Sequence, residues 1–339
     1  MIDLRSDTVT KPTKEMRQAA FDAIVGDDVY IEDPTILELE ALAAKKLGKD
    51  AAMFVPSGTQ GNQIAVLTHC VSGQEVILEA DSHIYFYEGG TIAAFAGVQP
   101  RTLKGNHGAM NPLEVEAAIR VDDIHQPETG LICLENTHNR AGGAIVPLEN
   151  MKEIYEIAKK HNLPVHLDGA RLFNASVATG ISVEEYASYT DTIQFCLSKG
   201  LGAPVGSIIA GTKEFIVKAR KWRKRLGGGL RQAGIIAAPG LVALNKMVDR
   251  LADDHEKAAI LASGLGSVKG LEIENKVDTN IVLVNTKEAG IFADQFIEKL
   301  KEEEILAVAF GPYTVRFTTH YDVTNQEIKQ VLEKISKLI

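Results

Sequence analysis

The sequence predicts an α/β fold with a mostly parallel central sheet, followed by a smaller α+β unit. Three observations carry this. Apolar runs of strand length recur at Glu75–Glu79 and at 130–135, 163–167, 192–198 and 206–210. Helical patterns lie between some of them, as at 148–161. Near-continuous apolar strands alternating with helices indicate a sheet covered on both faces. The character then changes near Gly240, where a long helical stretch at 241–265 precedes strands mixed with helices. The division is drawn as a large unit over 1–245, including the N-terminal segment, and a small one over 246–339.

Taken in order, the first 30 residues read as polar and irregular. A helix is signalled from Asp33: Asp33 caps it and Pro34 suits the first helical position. Ile36, Leu39, Leu42, Ala43 and Leu47 recur at helical spacing, Lys45 and Lys46 complement the C-terminal dipole, and Gly48 stops it. Ser57-Gly58-Thr59-Gln60-Gly61-Asn62 precedes a second helical run that Gly73 closes. Beyond 265, a strand is expected at 280–285, a helix at 289–303, and strands at 305–310 and Thr314–Thr318. The last helix opens with Thr324 and Glu327 in capping-box spacing.

Composition narrows the function. The 339 residues, 45% of them apolar, suffice for a substantial core. Thirty-six basic against 45 acidic residues give a net charge of −9, which argues against a general binder of nucleic acid or acidic membranes. Met1-Ile2-Asp3-Leu4 has no signal-peptide shape, and no stretch is apolar enough to span a membrane. A cytoplasmic protein with no nucleic-acid or membrane partner is expected. Cys70, Cys133 and Cys196 sit in apolar runs without metal-like spacing and read as buried, reduced thiols. No metal is assigned.

Two segments carry the chemistry. Val165-His166-Leu167-Asp168-Gly169-Ala170-Arg171 and Phe195-Cys196-Leu197-Ser198-Lys199-Gly200 each read as a buried strand ending in a charged residue before a glycine turn. Ligands of open α/β sheets bind outside the carboxyl ends of the strands, where Asp168 and Lys199 fall. A buried carboxylate requires a partner. For Asp168 the candidates are a pyridine nitrogen and Arg171. Lys199 is flanked by apolar or small residues, surroundings in which lysines lose their proton readily and form Schiff bases, although a strand-end lysine also snorkels to solvent. A carboxylate on a pyridine nitrogen and a lysine in Schiff-base linkage are what pyridoxal 5'-phosphate chemistry requires. Ser57, Gly58 and Thr59 then suit its phosphate, through hydroxyls and helix N-terminal amides. Neither a Walker lysine nor a dinucleotide fingerprint is present, which disfavours a dehydrogenase.

His83 follows the Glu75–Glu79 run and so also sits at a strand's carboxyl end, where an imidazole can stack on a ring and exchange a proton. His125 lies in the polar loop Asp122-Asp123-Ile124-His125-Gln126-Pro127. Arg5, Arg171 and Arg316 are candidate carboxylate clamps, Arg316 standing alone in an apolar strand. Lys221-Trp222-Arg223-Lys224-Arg225 is a basic run that reads either as a solvated helix face or as a phosphate contact across a subunit boundary.

Leu4-Arg5-Ser6-Asp7-Thr8, Pro56-Ser57-Gly58-Thr59, Leu134-Glu135-Asn136-Thr137-His138-Asn139, Leu167-Asp168-Gly169-Ala170-Arg171 and Ser198-Lys199-Gly200, in this order, resemble the low-specificity L-threonine aldolases. The resemblance runs from the first residues to Arg316. It implies the aspartate-aminotransferase-like fold of fold-type I pyridoxal-phosphate enzymes, and cleavage of L-threonine and L-allo-threonine to glycine and acetaldehyde. It further implies that Lys199 holds the cofactor, Asp168 pairs with its ring nitrogen and His83 stacks on the ring. Gly58 and Thr59 would bind phosphate, and Arg171 would support the 3′-oxygen side. Ser6, Arg171 and Arg316 would hold the substrate carboxylate, and His125 would lie near the substrate hydroxyl. His83 or His125 is the expected base. A homotetramer with active sites between subunits is implied, in which Tyr30, Lys224 and Arg231 serve a neighbour's site. The alternative activity is that of another fold-type I enzyme, an aminotransferase or β-eliminating lyase.

Overall fold

The computed structural model describes all 339 residues. The strands in chain order are β1 (Ile2–Asp3), β2 (Ala51–Val55), β3 (Glu75–Glu79), β4 (Gln99–Leu103), β5 (Thr129–Glu135), β6 (Val165–Asp168) and β7 (Thr192–Cys196). They continue with β8 (Ser207–Gly211), β9 (Glu272–Ile273), β10 (Ile281–Asn285), β11 (Ile305–Leu306), β12 (Val308–Ala309) and β13 (Thr314–Thr318). Seven strands form the main sheet in the order β2-β8-β7-β6-β5-β3-β4. It is parallel except at β8, which runs against both β7 and β2. The apolar run at 206–210 is therefore an antiparallel member. A strand buried on both faces has the same composition in either direction, so the pattern alone gives no sense of travel.

Helices cover both faces of this sheet. The first three are α1 (Lys14–Asp22), α2 (Pro34–Leu47) and α3 (Gly58–His69), of which α3 reaches the site. The expected caps hold for α2: Asp33 accepts from the Ile36 amide, and Gly48 closes the helix in the left-handed region. The helix α1 corrects the expectation of an irregular N-terminus. It buries only Met16 and leaves Phe21 exposed, so it has no apolar stripe for a periodicity argument to find.

The helix expected over 241–265 is two helices, Gly234–Lys246 and Leu251–Gly266. The first packs on the main core through Ala237, Ala243 and Leu244. The second joins a separate core through Ala258, Leu261 and Leu265. The chain crosses from one core to the other along this second helix, whose first residue, Leu251, still packs in the main core. The run at 305–310 likewise divides: β11 pairs with β1, whereas β12 pairs with β13. The helix expected at 289–303 begins later, at Ala293. The second sheet has the order β12-β13-β10-β9 and is antiparallel throughout. The last helix, Asn325–Leu338, starts with the expected capping box of Thr324 and Glu327.

The N-terminal segment ties the two sheets together. Ile2 and Leu4 are buried in the second core, and the Leu4 carbonyl accepts from the Thr318 amide. Three residues after Leu4, Asp7 reaches the carboxyl end of the main sheet, where it meets Arg171.

Candidate active site

The parallel register sets the site. Glu135 lies opposite Asp168 across β5 and β6, and Asp168 lies opposite Gln194 across β6 and β7. β5 and β6 therefore end level, β7 runs two residues further, and the segments that follow all three contribute to one cleft. Two connected cavities make it up. The inner one, of about 140 Å³, is lined by Ser57, Gly58, Thr59, Asp168, Ser198 and Lys199 among others. The outer one, of about 280 Å³, is lined by Ser6, Thr8, Asn139, Arg171, Phe310 and Arg316 among others. His83 and Lys199 border both.

Asp168 is buried and accepts three hydrogen bonds. Oδ1 takes the Ala170 amide at 3.1 Å and Gln194 Nε2 at 2.8 Å; Oδ2 takes Asn62 Nδ2 at 2.8 Å. A carboxylate has about four lone-pair sites, so Oδ2 keeps one for a further donor. Burial alone would raise this carboxyl. The positive charges of His83 and Lys199, with the bonds from Asn62 and Gln194, outweigh burial and hold it below the usual carboxylate range. Arg171 is not its partner. That guanidinium instead grips Asp7 at 2.7 Å through both Nε and Nη2.

Lys199 follows β7 on a turn closed by the Gly202 amide on its carbonyl. Its ammonium helps hold both Asp7 and Asp168 ionised but is hydrogen-bonded to neither. His83 donates its backbone N–H to Glu135 at 2.6 Å, and its Nδ1 lies 3.0 Å from Glu88 Oε1. Ligand atoms of His83, Glu88 and Asp168 lie within 4.8 Å of one another. Burial disfavours the His83 cation, but the bond to Glu88 and the charges of Asp168 and Glu88 prevail and raise its pKa.

Ser57 caps α3 by accepting from the Gln60 amide. The amides of Gly58 and Thr59, in the first turn, have no intrahelical acceptor, and both residues line the inner cavity. A Cβ on Gly58 would stand 2.9 Å from Cys196 Sγ, so glycine is what lets the helix start approach the end of β7.

Arg316 enters from β13. It donates to Asn139 Oδ1 and to the Arg5 carbonyl, each at 3.1 Å, while its buried Nε has no partner. Burial, then repulsion from Arg171, lowers its pKa to about 10. Two guanidiniums and an orphaned donor make this end of the cleft a receptor for an anion. Ser6 lines it. Arg5 does not: it is half exposed and paired with Asp3 at 2.7 Å.

Three expected residues stand outside the cleft of their own chain. His125 is exposed on its loop, paired with Asp123 at 2.8 Å. Lys224 borders a separate basic pocket with Asp28, Arg220 and Arg223. Arg231 pairs with Asp27 at 3.0 Å. The sequence reading also missed Asp7, Asn62, Glu88 and Gln194. Asp7 and Asn62 lay inside quoted motifs, but their partners are more than a hundred residues away. Gln194 had a local signal, a polar residue inside an apolar strand.

These residues fit pyridoxal phosphate. A lysine side chain hydrogen-bonded to neither nearby carboxylate, an ionised carboxylate with one open lone pair and a helix start meet in a single cavity, beside a pair of guanidiniums.

Comparison with known proteins agrees. The β-eliminating lyase family profile matches residues 3–289. The chain is 45% identical to low-specificity L-threonine aldolase 1 of Arabidopsis thaliana, over 98% of this chain and 94% of that one. It is 44% identical to the low specificity L-threonine aldolase of Escherichia coli (strain K12), over 98% and 97% of the two chains. Among solved structures, the threonine aldolase of Leishmania major superposes with a TM-score of 0.85 at 20% identity, covering 100% of this chain and 99% of that one. At that identity the likeness speaks for the fold, the one expected from the sequence.

Proposed function

Because the chain belongs to the low-specificity L-threonine aldolases of the β-eliminating lyase family, we propose that it is a pyridoxal-phosphate-dependent aldehyde-lyase that cleaves L-threonine and L-allo-threonine to glycine and acetaldehyde. The observation that carries this reading is the meeting of Lys199 and Asp168, from adjacent strand ends, in a cleft whose outer end holds Arg171 and Arg316.

When bound, pyridoxal phosphate supplies an electron sink for the pair released as the substrate's Cα–Cβ bond opens. The rest falls to the chain. Lys199 would hold the cofactor through its ε-amino group. Asp168, with one lone pair open, would accept from the ring nitrogen and keep it protonated. Gly58 and Thr59, with the Ser57 hydroxyl, would receive the phosphate, and His83 would stack on the ring. Arg316, Arg171 and Ser6 would take the substrate carboxylate and so orient the substrate, which selects the bond at Cα that opens; cleavage needs this to be Cα–Cβ.

The base must remove the β-hydroxyl proton. His83 is the imidazole this chain brings to its own cleft, and Glu88 orients it through Nδ1, leaving Nε2 to accept the proton. His125 would have to approach from elsewhere.

A homotetramer with shared sites is part of the reading. Phe21, Ile24 and Tyr30 are each exposed within one N-terminal stretch, apolar surface that a neighbouring subunit would cover. Lys224 and Arg231, turned away from their own cleft, are then available to a neighbour's phosphate. A cytoplasmic location accords with three free cysteines and no disulfide.

Incubating the protein and pyridoxal phosphate with L-allo-threonine tests the activity. Acetaldehyde and glycine in equal amounts are expected. A keto acid with ammonia, or an amino-group transfer, would move the activity to elimination or transamination.

A further inference from the structure

Side chains two apart on a strand share a face. His166 and Asp168 therefore project together from β6, and their register partners Thr192 and Gln194 project beside them from β7. Across this face lies α3, where Asn62 and His69, two turns apart, fall on one stripe. The result is a file of polar groups through an otherwise apolar layer. His69 Nε2 is 3.0 Å from Thr192 Oγ1, which is 3.0 Å from His166 Nδ1. His166 Nε2 is 3.1 Å from Asn62 Oδ1, and Asn62 Nδ2 is 2.8 Å from Asp168 Oδ2.

The direction of each bond follows by elimination. Asn62 Nδ2 also reaches Glu88 Oε1 at 2.9 Å, so both amide hydrogens go to carboxylates. The amide oxygen then faces His166, whose Nε2 must carry the proton. Burial, reinforced by His69, lowers the His166 pKa to about 3, so the ring is neutral and Nδ1 is an acceptor. The Thr192 hydroxyl donates to it, and Thr192 Oγ1 receives the His69 N–H. Every bond in the file points its positive end toward Asp168, and aligned bonds of this kind polarise one another. The outer end, His69, lines a cavity of about 410 Å³ with Lys159 and Asp191, at the amino ends of β6 and β7, the opposite end of the strands from the cleft.

We propose that His166, Thr192 and Asn62 are positioning residues that fix Asp168 and hold it ionised against the cofactor's ring nitrogen, with His69 as the outer anchor of the file. This rests on the reading that the cleft binds pyridoxal phosphate. Purely structural packing would be served by apolar side chains here, since His166 and Thr192 are buried between strand and helix and face no solvent.

The test uses holoenzyme carrying isotope-labelled pyridoxal phosphate and reads the ring nitrogen by NMR, with kcat and KM alongside. Thr192→Val keeps the shape of the side chain and removes the hydroxyl; Thr192→Ser keeps the hydroxyl. With Thr192→Val the ring-nitrogen shift should move toward the unprotonated position and kcat should fall by on the order of tenfold at similar KM, as when one hydrogen bond that supports a buried carboxylate is lost. Thr192→Ser should restore both. A Thr192→Val enzyme with the wild-type shift and kcat overturns the proposal. Histidine-labelled wild-type apoprotein provides a second reading that needs neither variant nor cofactor. It should show His166 neutral with its proton on Nε2; a proton on Nδ1, or a charged ring, overturns the file. Failure of the wild type to bind pyridoxal phosphate counts against the functional reading instead, and the histidine spectrum then decides on the file.

Discussion

Asp7 and Arg171 form a bidentate ion pair, both contacts 2.7 Å, with both side chains almost wholly buried. Asn280 adds a donor to Asp7 at 3.2 Å. The pair joins the N-terminal segment to the turn after β6, and so holds the second sheet against the cleft. It also aims Arg171 at the space it shares with Arg316.

Asp7→Asn should lose about 3–5 kcal/mol in denaturant unfolding, because an unpaired guanidinium remains buried. Burial opposes ionisation of Asp7, but Arg171 prevails and sets the carboxyl well below the ordinary value. A lowered carboxyl contributes stability that is complete above its unfolded pKa, about 3.9, and is lost as pH falls toward the folded one. Stability against pH should therefore fall less steeply in acid for Asp7→Asn than for the wild type. Equal slopes would mean that the pair is not the acid-sensitive contact.

Glu88 sets the working range of His83. Because this carboxylate helps raise the His83 pKa, and the base must be neutral, activity should climb on the alkaline side of the ordinary histidine value of about 6.5. Glu88→Gln removes the charge that favours the cation. The acid limb of the kcat profile should move to lower pH, with a lower plateau as His83 loses its orientation. A limb that stays in place would take His83 out of the role of base.

Gly58→Ala places a methyl 2.9 Å from Cys196 Sγ and 3.3 Å from Gln194 Nε2. Overpacking of this kind costs about 1–3 kcal/mol, and here it bears on the group that bonds Asp168. Cofactor affinity, measured by titration of apoprotein, should fall by on the order of tenfold for about 1.4 kcal/mol of that strain. Cys196→Ala should recover part of it. Full affinity in Gly58→Ala alone would show that the helix start has room to spare.

Thr324→Ala should cost about 1 kcal/mol through loss of the N-cap, since Thr324 Oγ1 accepts from the Glu327 amide at 3.2 Å and Glu327 Oε2 accepts from the Thr324 amide at 2.7 Å. Neither Thr324 nor Glu327 lines the cleft, so kcat should be unchanged. The comparison of melting and activity in this variant calibrates the losses in the others.

Much of this was legible in the sequence because local rules fix it. The caps of α2 and of the last helix follow from side chains within four residues of the amides they satisfy. Asp168 and Lys199 could be placed at strand ends because in each case the charge closes an apolar run and a glycine follows it. What stayed hidden depended on distant partners. Nothing near Arg171 reveals that it binds Asp7 rather than Asp168. Nothing in the run at 305–310 reveals that its halves pair with different strands. The sense of β8 was invisible for the same reason, and the exposed positions of His125, Lys224 and Arg231 could not be read from motif order.

The central claim is that Lys199 is the residue that holds pyridoxal phosphate. Borohydride reduction of the holoenzyme, followed by proteolysis and mass spectrometry of the peptides, tests it most directly. The account predicts a reduced pyridoxyl phosphate adduct on the peptide containing Lys199 and on no other. An adduct on a different lysine, with Lys199 unmodified, would contradict it.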